Sequence, residues 1–207
     1  MRYVLKCLLV LILLLNSVSF VCAKEKLPVI RFNKSKFALY YSSKNKDTGA
    51  YINEYYKKAQ TYTTWNELIA VHEYDKAYSP KDKAREFSEY IANMGIVNTI
   101  SEYDDDTAIL DFIMVKNNQY PILLEYNVFK FVKRPVCGTI AIQYAKRYRV
   151  KNGIEADKIR RNLMKNRSKY IKKVQKLKIS KIITEEIDKG KLIVNEGIDE
   201  SHYAEFK

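Results

Sequence analysis

The fold is decided by the stretch AILDFIMVKNNQYPILLEYNVFKFVKRPVCGTIAIQYAKRYRV, residues 108–150. Residues 108–115 are apolar apart from one residue, and in residues 122–132 and 139–150 apolar and aromatic residues partly alternate with polar ones. A period of two is typical of β-strands, and short polar turns separate the segments. Consecutive strands joined by short turns predict an antiparallel meander at the centre of the fold.

The flanking sequence adds further strands and two helices. Residues 51–56 and 64–74 are rich in aromatic and β-branched residues and are predicted to be strands. Ser79-Pro80 predicts the start of a helix, with an N-cap serine followed by proline at the first helical position. A long basic helix is predicted over residues 155–178. The predicted order is β-β-β-α-β-β-β-β-α with about five to seven strands, an α+β fold in which helices cover an antiparallel sheet.

This order of elements resembles the PsbP-like sandwich, an antiparallel sheet between helices that is found in small exported or lumenal proteins. The resemblance covers most of the chain after the N-terminal segment and concerns element order, not a sequence motif. It implies an accessory or binding module rather than an enzyme.

The first 23 residues have the organisation of a secretory signal peptide. Arg2 and Lys6 give a charged start, an apolar block occupies residues 7–15, and Val21-Cys22-Ala23 places small residues at the −3 and −1 positions of a cleavage site. The sequence therefore predicts export to the periplasm or the extracellular space, with cleavage after Ala23.

Two other interpretations of this segment stay open. The apolar block is shorter than the about 20 residues that a membrane span needs, but residues 3–21 inserted whole would form an uncleaved anchor. Acylation of Cys22 would make the chain a lipoprotein. With cleavage, the chain divides into a signal peptide at 1–23, one α+β domain at 24–190 and a loosely ordered tail at 191–207.

The chain is strongly basic, with 37 Lys or Arg, 24 Asp or Glu and a formal net charge of +13. Removal of residues 1–23 takes away two basic residues and leaves a net charge of +11. Because exported proteins rarely meet nucleic acid, we expect none as a partner. The charge points instead to an anionic lipid, a cell-wall polymer or an acidic protein.

The predicted C-terminal helix carries the strongest functional signal. Fifteen Lys or Arg but only two acidic residues, Glu155 and Asp157, lie between Lys146 and Lys181. An apolar stripe predicts packing on the sheet, and the cations lie mostly off that stripe, where they form either a solvated face or a docking face for an anionic surface. The candidate binding residues are Lys158, Arg161, Lys165, Lys169, Lys172, Lys173 and Lys176.

Candidates for catalysis are few. Cys137 lies close to Arg134, whose charge would favour the thiolate, and a thiol nucleophile would need His72 as its base in an open cleft. Cys137 is also the one cysteine left after cleavage, so no internal disulfide is expected. Two histidines without ligand spacing predict no metal site, and the lack of glycine-rich phosphate loops predicts no nucleotide cofactor.

These observations predict an exported, non-enzymatic binding or accessory protein of the cell envelope. One alternative is a cysteine-dependent hydrolase that uses Cys137 and His72. The other is an immunity or inhibitor protein that neutralises an exported partner. The sequence leaves the oligomeric state open.

Overall fold

The computed structural model describes residues 29–44, 51–74, 79–104, 106–116, 120–133 and 138–178. The predicted signal peptide, Cys137 and the predicted tail at 191–207 lie outside these residues. The described part contains an eight-stranded antiparallel sheet and two helices, which confirms the predicted α+β class. The strands are β1 (Val29–Phe32), β2 (Ser35–Lys44), β3 (Tyr51–Lys57), β4 (Glu67–Tyr74), β5 (Asn98–Asp104), β6 (Thr107–Lys116), β7 (Ile122–Lys133) and β8 (Thr139–Val150); the helices are α1 (Pro80–Asn93) and α2 (Gly153–Gln175).

The sheet consists of two meanders joined side by side. Its strand order is β1-β2-β3-β4-β8-β7-β6-β5, and every neighbouring pair is antiparallel. The predicted meander of β6, β7 and β8 is present, with Ile122 paired to Val150 across β7 and β8. The first meander joins the second through the pairing of β4 with β8, which sets Glu67 opposite Lys146.

The sheet has one strand more than the predicted order. The difference lies before α1, where the structure has four strands, β1 to β4, and the predicted order has three. The strand β1 pairs with β2 through a two-residue turn at Asn33 and Lys34. Both turn residues have positive φ, 48° and 66°, as a tight hairpin turn of this kind requires. Asn tolerates this conformation, but Asn-Lys is a weaker hairpin signal than Asn-Gly, so the sequence gives little indication that residues 29–44 form two strands of a hairpin.

The sheet is strongly curved toward the face that α2 covers. Phe32 of β1 and Tyr144 of β8 have ring centroids 4.9 Å apart although three strands lie between them. In a flat sheet the two backbones would be about 19 Å apart. The curvature brings the β1–β2 hairpin against α2, so that Phe32 shares one core with Leu163 and Val174.

The helix α1 packs on the other face of the sheet. Ser79 caps its first turn, since the side-chain oxygen accepts a hydrogen bond from the Asp82 N–H at 3.1 Å, and Pro80 follows as predicted. Ala84 and Ile91 are buried, and Phe87 meets Phe129 of β7 edge to face at 4.9 Å. This second core is separate from the one beneath α2.

The helix α2 follows β8 after a short turn and begins with a reciprocal cap. The Asn152 side chain accepts from the Glu155 N–H at 2.9 Å, and Glu155 Oε2 accepts from the Lys151 N–H at 2.9 Å. The first contact satisfies a backbone donor that the first helical turn leaves without a partner, and the second satisfies the N–H of the residue just before the N-cap. Neither helix of the described part is long and apolar enough to cross a membrane.

Candidate anionic-surface site

The predicted binding residues lie on α2, with Lys176 at its C-cap. All except Lys173 are exposed. The other six follow one another at intervals of three or four residues, which places them within a sector of about 80° and along a line of about 27 Å. We call these six residues the cation row: Lys158, Arg161, Lys165, Lys169, Lys172 and Lys176.

The positive charge of the cation row is not neutralised within the part of the chain that the structure describes. The two acidic residues of α2 have other partners, since Glu155 caps the helix and Asp157 pairs with Arg160 at 3.3 Å. No carboxylate among residues 29–178 that are described forms an ion pair with a member of the row. As far as the described residues are concerned, the row is available to an external anion.

The opposite side of α2 is fixed to the sheet. Leu163, Ile171 and Val174 are buried in the core. Between them, Arg167 forms a bidentate ion pair with Asp111 of β6, with Nε–Oδ2 and Nη2–Oδ1 distances of 2.7 and 2.6 Å. Asp111 is only 4% exposed, and the Tyr126 hydroxyl also donates to it at 3.2 Å. Burial, together with the Asp111 charge, raises the pKa of Tyr126.

Three further polar contacts hold the C-terminal half of α2. Lys130 of β7 donates from Nζ to the carbonyl oxygens of Gln175 and Leu177 at 2.7 and 3.2 Å, a favourable position for a cation because the helix dipole is negative there. Lys173 donates to Asn33 Oδ1 at 2.5 Å, and Lys146 donates to the Tyr170 hydroxyl at 3.5 Å. The cation row thus lies on a helix that is held along its length.

An open depression of about 320 Å³ lies at the C-terminal half of the row. Its lining is Ser168, Lys169, Lys172, Lys173 and Lys176. The lining residues carry four ammonium groups and one hydroxyl, which can donate hydrogen bonds to phosphate and carboxylate oxygens.

His72 lies in β4 on the face of the sheet opposite to α2, so the structure does not bring it to the cation row. Its Nε2 is 2.9 Å from Gln143 Oε1, and Gln143 Nε2 donates to Asn127 Oδ1 at 2.9 Å. Because the Gln143 amide group donates away from the histidine, His72 Nε2 is the donor in the first bond. Burial lowers the pKa of His72 to about 4 and outweighs the hydrogen bond to Gln143, which acts in the opposite direction. The ring is therefore neutral at pH 7.

This arrangement makes His72 part of a polar network inside the fold. The ring also packs against Phe129 with centroids 5.6 Å apart. Its proposed catalytic partner, Cys137, lies outside the described residues. In the described ranges, no three His, Cys, Asp or Glu side chains are grouped closely enough to hold a metal ion.

Sequence reasoning missed the residues that orient the site, Arg167, Asp111 and Lys130. Each is a charged residue inside an otherwise apolar pattern, since Asp111 interrupts the run AILDFIMV and Arg167 is four residues from both Leu163 and Ile171. A charged residue among apolar ones was the signal that could have identified them, because a buried charge requires a partner. Their pairing could not be deduced, as 56 residues separate Asp111 from Arg167.

A protein-family model matches residues 25–179, about three quarters of the chain, and the chain belongs to this family. The family is uncharacterised and assigns no activity. No curated protein and no solved structure matches the chain.

Proposed function

We propose that this protein is an exported, non-enzymatic binding or accessory protein of the cell envelope that docks on an anionic surface through the cation row. One observation carries the proposal: six exposed cations occupy one side of a helix whose other side is anchored by buried apolar residues and the Arg167–Asp111 ion pair. The partner is an anionic lipid, a cell-wall polymer or an acidic protein, and not a nucleic acid.

The energetics favour a real, salt-sensitive interaction. A Lys or Arg close to an anionic surface contributes about 1 kcal/mol, and the contribution fades within a Debye length of about 8 Å at physiological salt. Six such groups in a line act together. Because the helix backbone is already fixed, docking costs overall and side-chain freedom but requires no further ordering of the helix backbone.

Two features of the sequence, the N-terminal segment and the charge, support the proposed location. Residues 1–23 have the pattern of a cleaved signal peptide, and the family match begins at residue 25, directly after that segment. A net charge of +11 for the remaining chain suits the outer surface of an anionic envelope. The PsbP-like order of elements, with helices on both faces of an antiparallel sheet, supports an accessory role.

The proposal is tested by neutralising the middle of the row. The triple variant Lys165→Gln, Lys169→Gln and Lys172→Gln removes three charges and keeps helix propensity. The matched control, Arg31→Gln, Lys36→Gln and Lys58→Gln, removes three exposed charges that are not part of α2. The exported form of each protein is sedimented with phosphatidylglycerol-containing vesicles, neutral phosphatidylcholine vesicles and, in a separate assay, titrated with polyphosphate.

We expect the row variant to lose affinity for anionic probes by on the order of 100-fold at low salt, as three contributions of about 1 kcal/mol predict. The control should lose much less, and neutral vesicles should bind none of the proteins. Equal losses in the row variant and the control would show that net charge alone acts. That result would overturn the proposed site.

A further inference from the structure

Two large apolar side chains on α2 are exposed and lie outside the core clusters of the described residues. Ile154 is 82% exposed and Met164 is 53% exposed. The other large apolar residues of this helix are buried in the core or packed against it: Ile159, Leu163, Tyr170, Ile171 and Val174. Ile154 and Met164 therefore contribute surface that water hydrates unfavourably in the free protein.

Both side chains lie at the cation row. Ile154 precedes Lys158 by four residues, which places it in the same sector of the helix as the row. Met164 is three residues after Arg161, so these two side chains are neighbours on the helix surface. The exposed side of α2 thus combines a line of cations with two large apolar groups.

We infer that the anionic surface is a phospholipid bilayer, with the cation row on the head groups and Ile154 and Met164 inserted just below them. This inference rests on the proposed function. A soluble polyanion gains nothing from apolar side chains among the cations, whereas a bilayer interface offers both phosphate oxygens and hydrocarbon.

The bilayer contact is shallow. The main apolar face of α2 stays buried against the sheet, so the helix does not turn over to embed it. Insertion is limited to the two side chains, while the lysine stems lie along the interface with their ammonium groups at head-group level. Such a contact depends on the charge of the cation row and on the apolar area of Ile154 and Met164. Substitutions can remove either one without changing the other.

The test replaces the apolar groups without changing charge. In the variant Ile154→Gln with Met164→Gln, the affinity for phosphatidylglycerol-containing vesicles should fall about five- to tenfold, while the affinity for polyphosphate stays unchanged. The matched control is Met94→Gln with Val97→Gln, which alters two exposed apolar residues, 43% and 88% exposed, just after α1 on the other face of the sheet. The control should bind vesicles like the unmodified protein.

Insertion itself is measured with the variant Ile154→Trp. We expect its emission to shift to the blue on anionic vesicles and to be quenched by lipids brominated on the acyl chains; Trp65 is buried and gives a constant background. Binding without quenching, or equal vesicle affinity with and without Ile154 and Met164, would overturn the bilayer inference and favour a polymer or an acidic protein. If the cation-row variant also bound normally, the proposed function itself would fail.

Discussion

Single polar side chains determine how the buried parts of this protein fit together. Asp111 and the His72–Gln143–Asn127 network both lie within strands that are otherwise apolar or aromatic. A buried polar group without a partner lowers the stability of the folded protein by several kcal/mol. Asp111 and His72 therefore each require a hydrogen-bonding partner at the right position. These residues therefore fix which elements meet, in addition to stabilising the contact.

The His72 network predicts a defined dependence of stability on pH. The pKa of His72 is lowered from 6.5 to about 4 in the folded protein, so the unfolded chain binds the proton more readily between these values. The contribution to the free energy of unfolding is fully present above pH 6.5 and is lost as the pH falls toward 4. It amounts to about 3 kcal/mol.

The measurement is the urea unfolding free energy of the unmodified protein and of His72→Gln from pH 7.5 to pH 4. Carboxylates titrate in both proteins, so the difference between the two curves isolates the histidine. That difference should change by about 3 kcal/mol over the range. Parallel curves would show that His72 is not buried in its neutral form.

At the scale of the element, α2 is an amphipathic helix with three different roles around its circumference. Its apolar side completes the core, the Arg167–Asp111 pair sets its rotation, and its outer side carries the cation row. Lys130 and Asn33 hold its C-terminal half. The rotation matters because a turn of the helix by one residue would move the row out of the exposed sector.

The ion pair between Arg167 and Asp111 should dominate the stability of this arrangement. The variant Arg167→Met leaves the Asp111 carboxylate buried without a cation, and we expect the free energy of unfolding to fall by about 3 to 5 kcal/mol. Combining Arg167→Met with Asp111→Leu removes the uncompensated charge and should restore much of that loss. Urea unfolding of the two single variants and the double variant measures the coupling; additive losses would contradict a direct pair.

What could be predicted for these elements depended on local signals. The cation row was predictable because its spacing is written within 19 consecutive residues, and α1 because Ser79-Pro80 is a local start signal. The division of residues 29–44 into two strands was harder to predict, because the turn between them, Asn33-Lys34, is a weak signal. The pairing of Arg167 with Asp111 is non-local, and no pattern in one sequence encodes it.

At the scale of the whole molecule, the curved sheet turns an amphipathic helix into a one-sided cationic surface. The β1–β2 hairpin curls against α2, and β6, β7 and β8 lie beneath it, so the inner sides of the helix are covered. The pairing of β4 with β8, elements about 70 residues apart in sequence, makes this possible. Composition indicated a basic protein; the curvature that isolates the charge on one side was not readable from it.

The cation row carries an electrostatic cost that the rest of the fold has to offset. Like charges four residues apart on a helix repel by a few tenths of a kcal/mol per pair. The buried side chains and the Arg167–Asp111 pair offset this cost. An external anionic surface would relieve the repulsion, so docking and stability are coupled through the same residues.

The most direct test of anionic docking is the salt dependence of vesicle binding. The dissociation constant of the exported protein for phosphatidylglycerol-containing vesicles is measured from about 0.05 to about 0.5 M NaCl, a range over which the Debye length falls from about 14 to about 4 Å. Anionic docking predicts that affinity falls at least tenfold across this range, and that the variant Lys165→Gln, Lys169→Gln and Lys172→Gln shows a much shallower dependence. Binding that does not respond to salt, or no binding at the lowest salt, would contradict it.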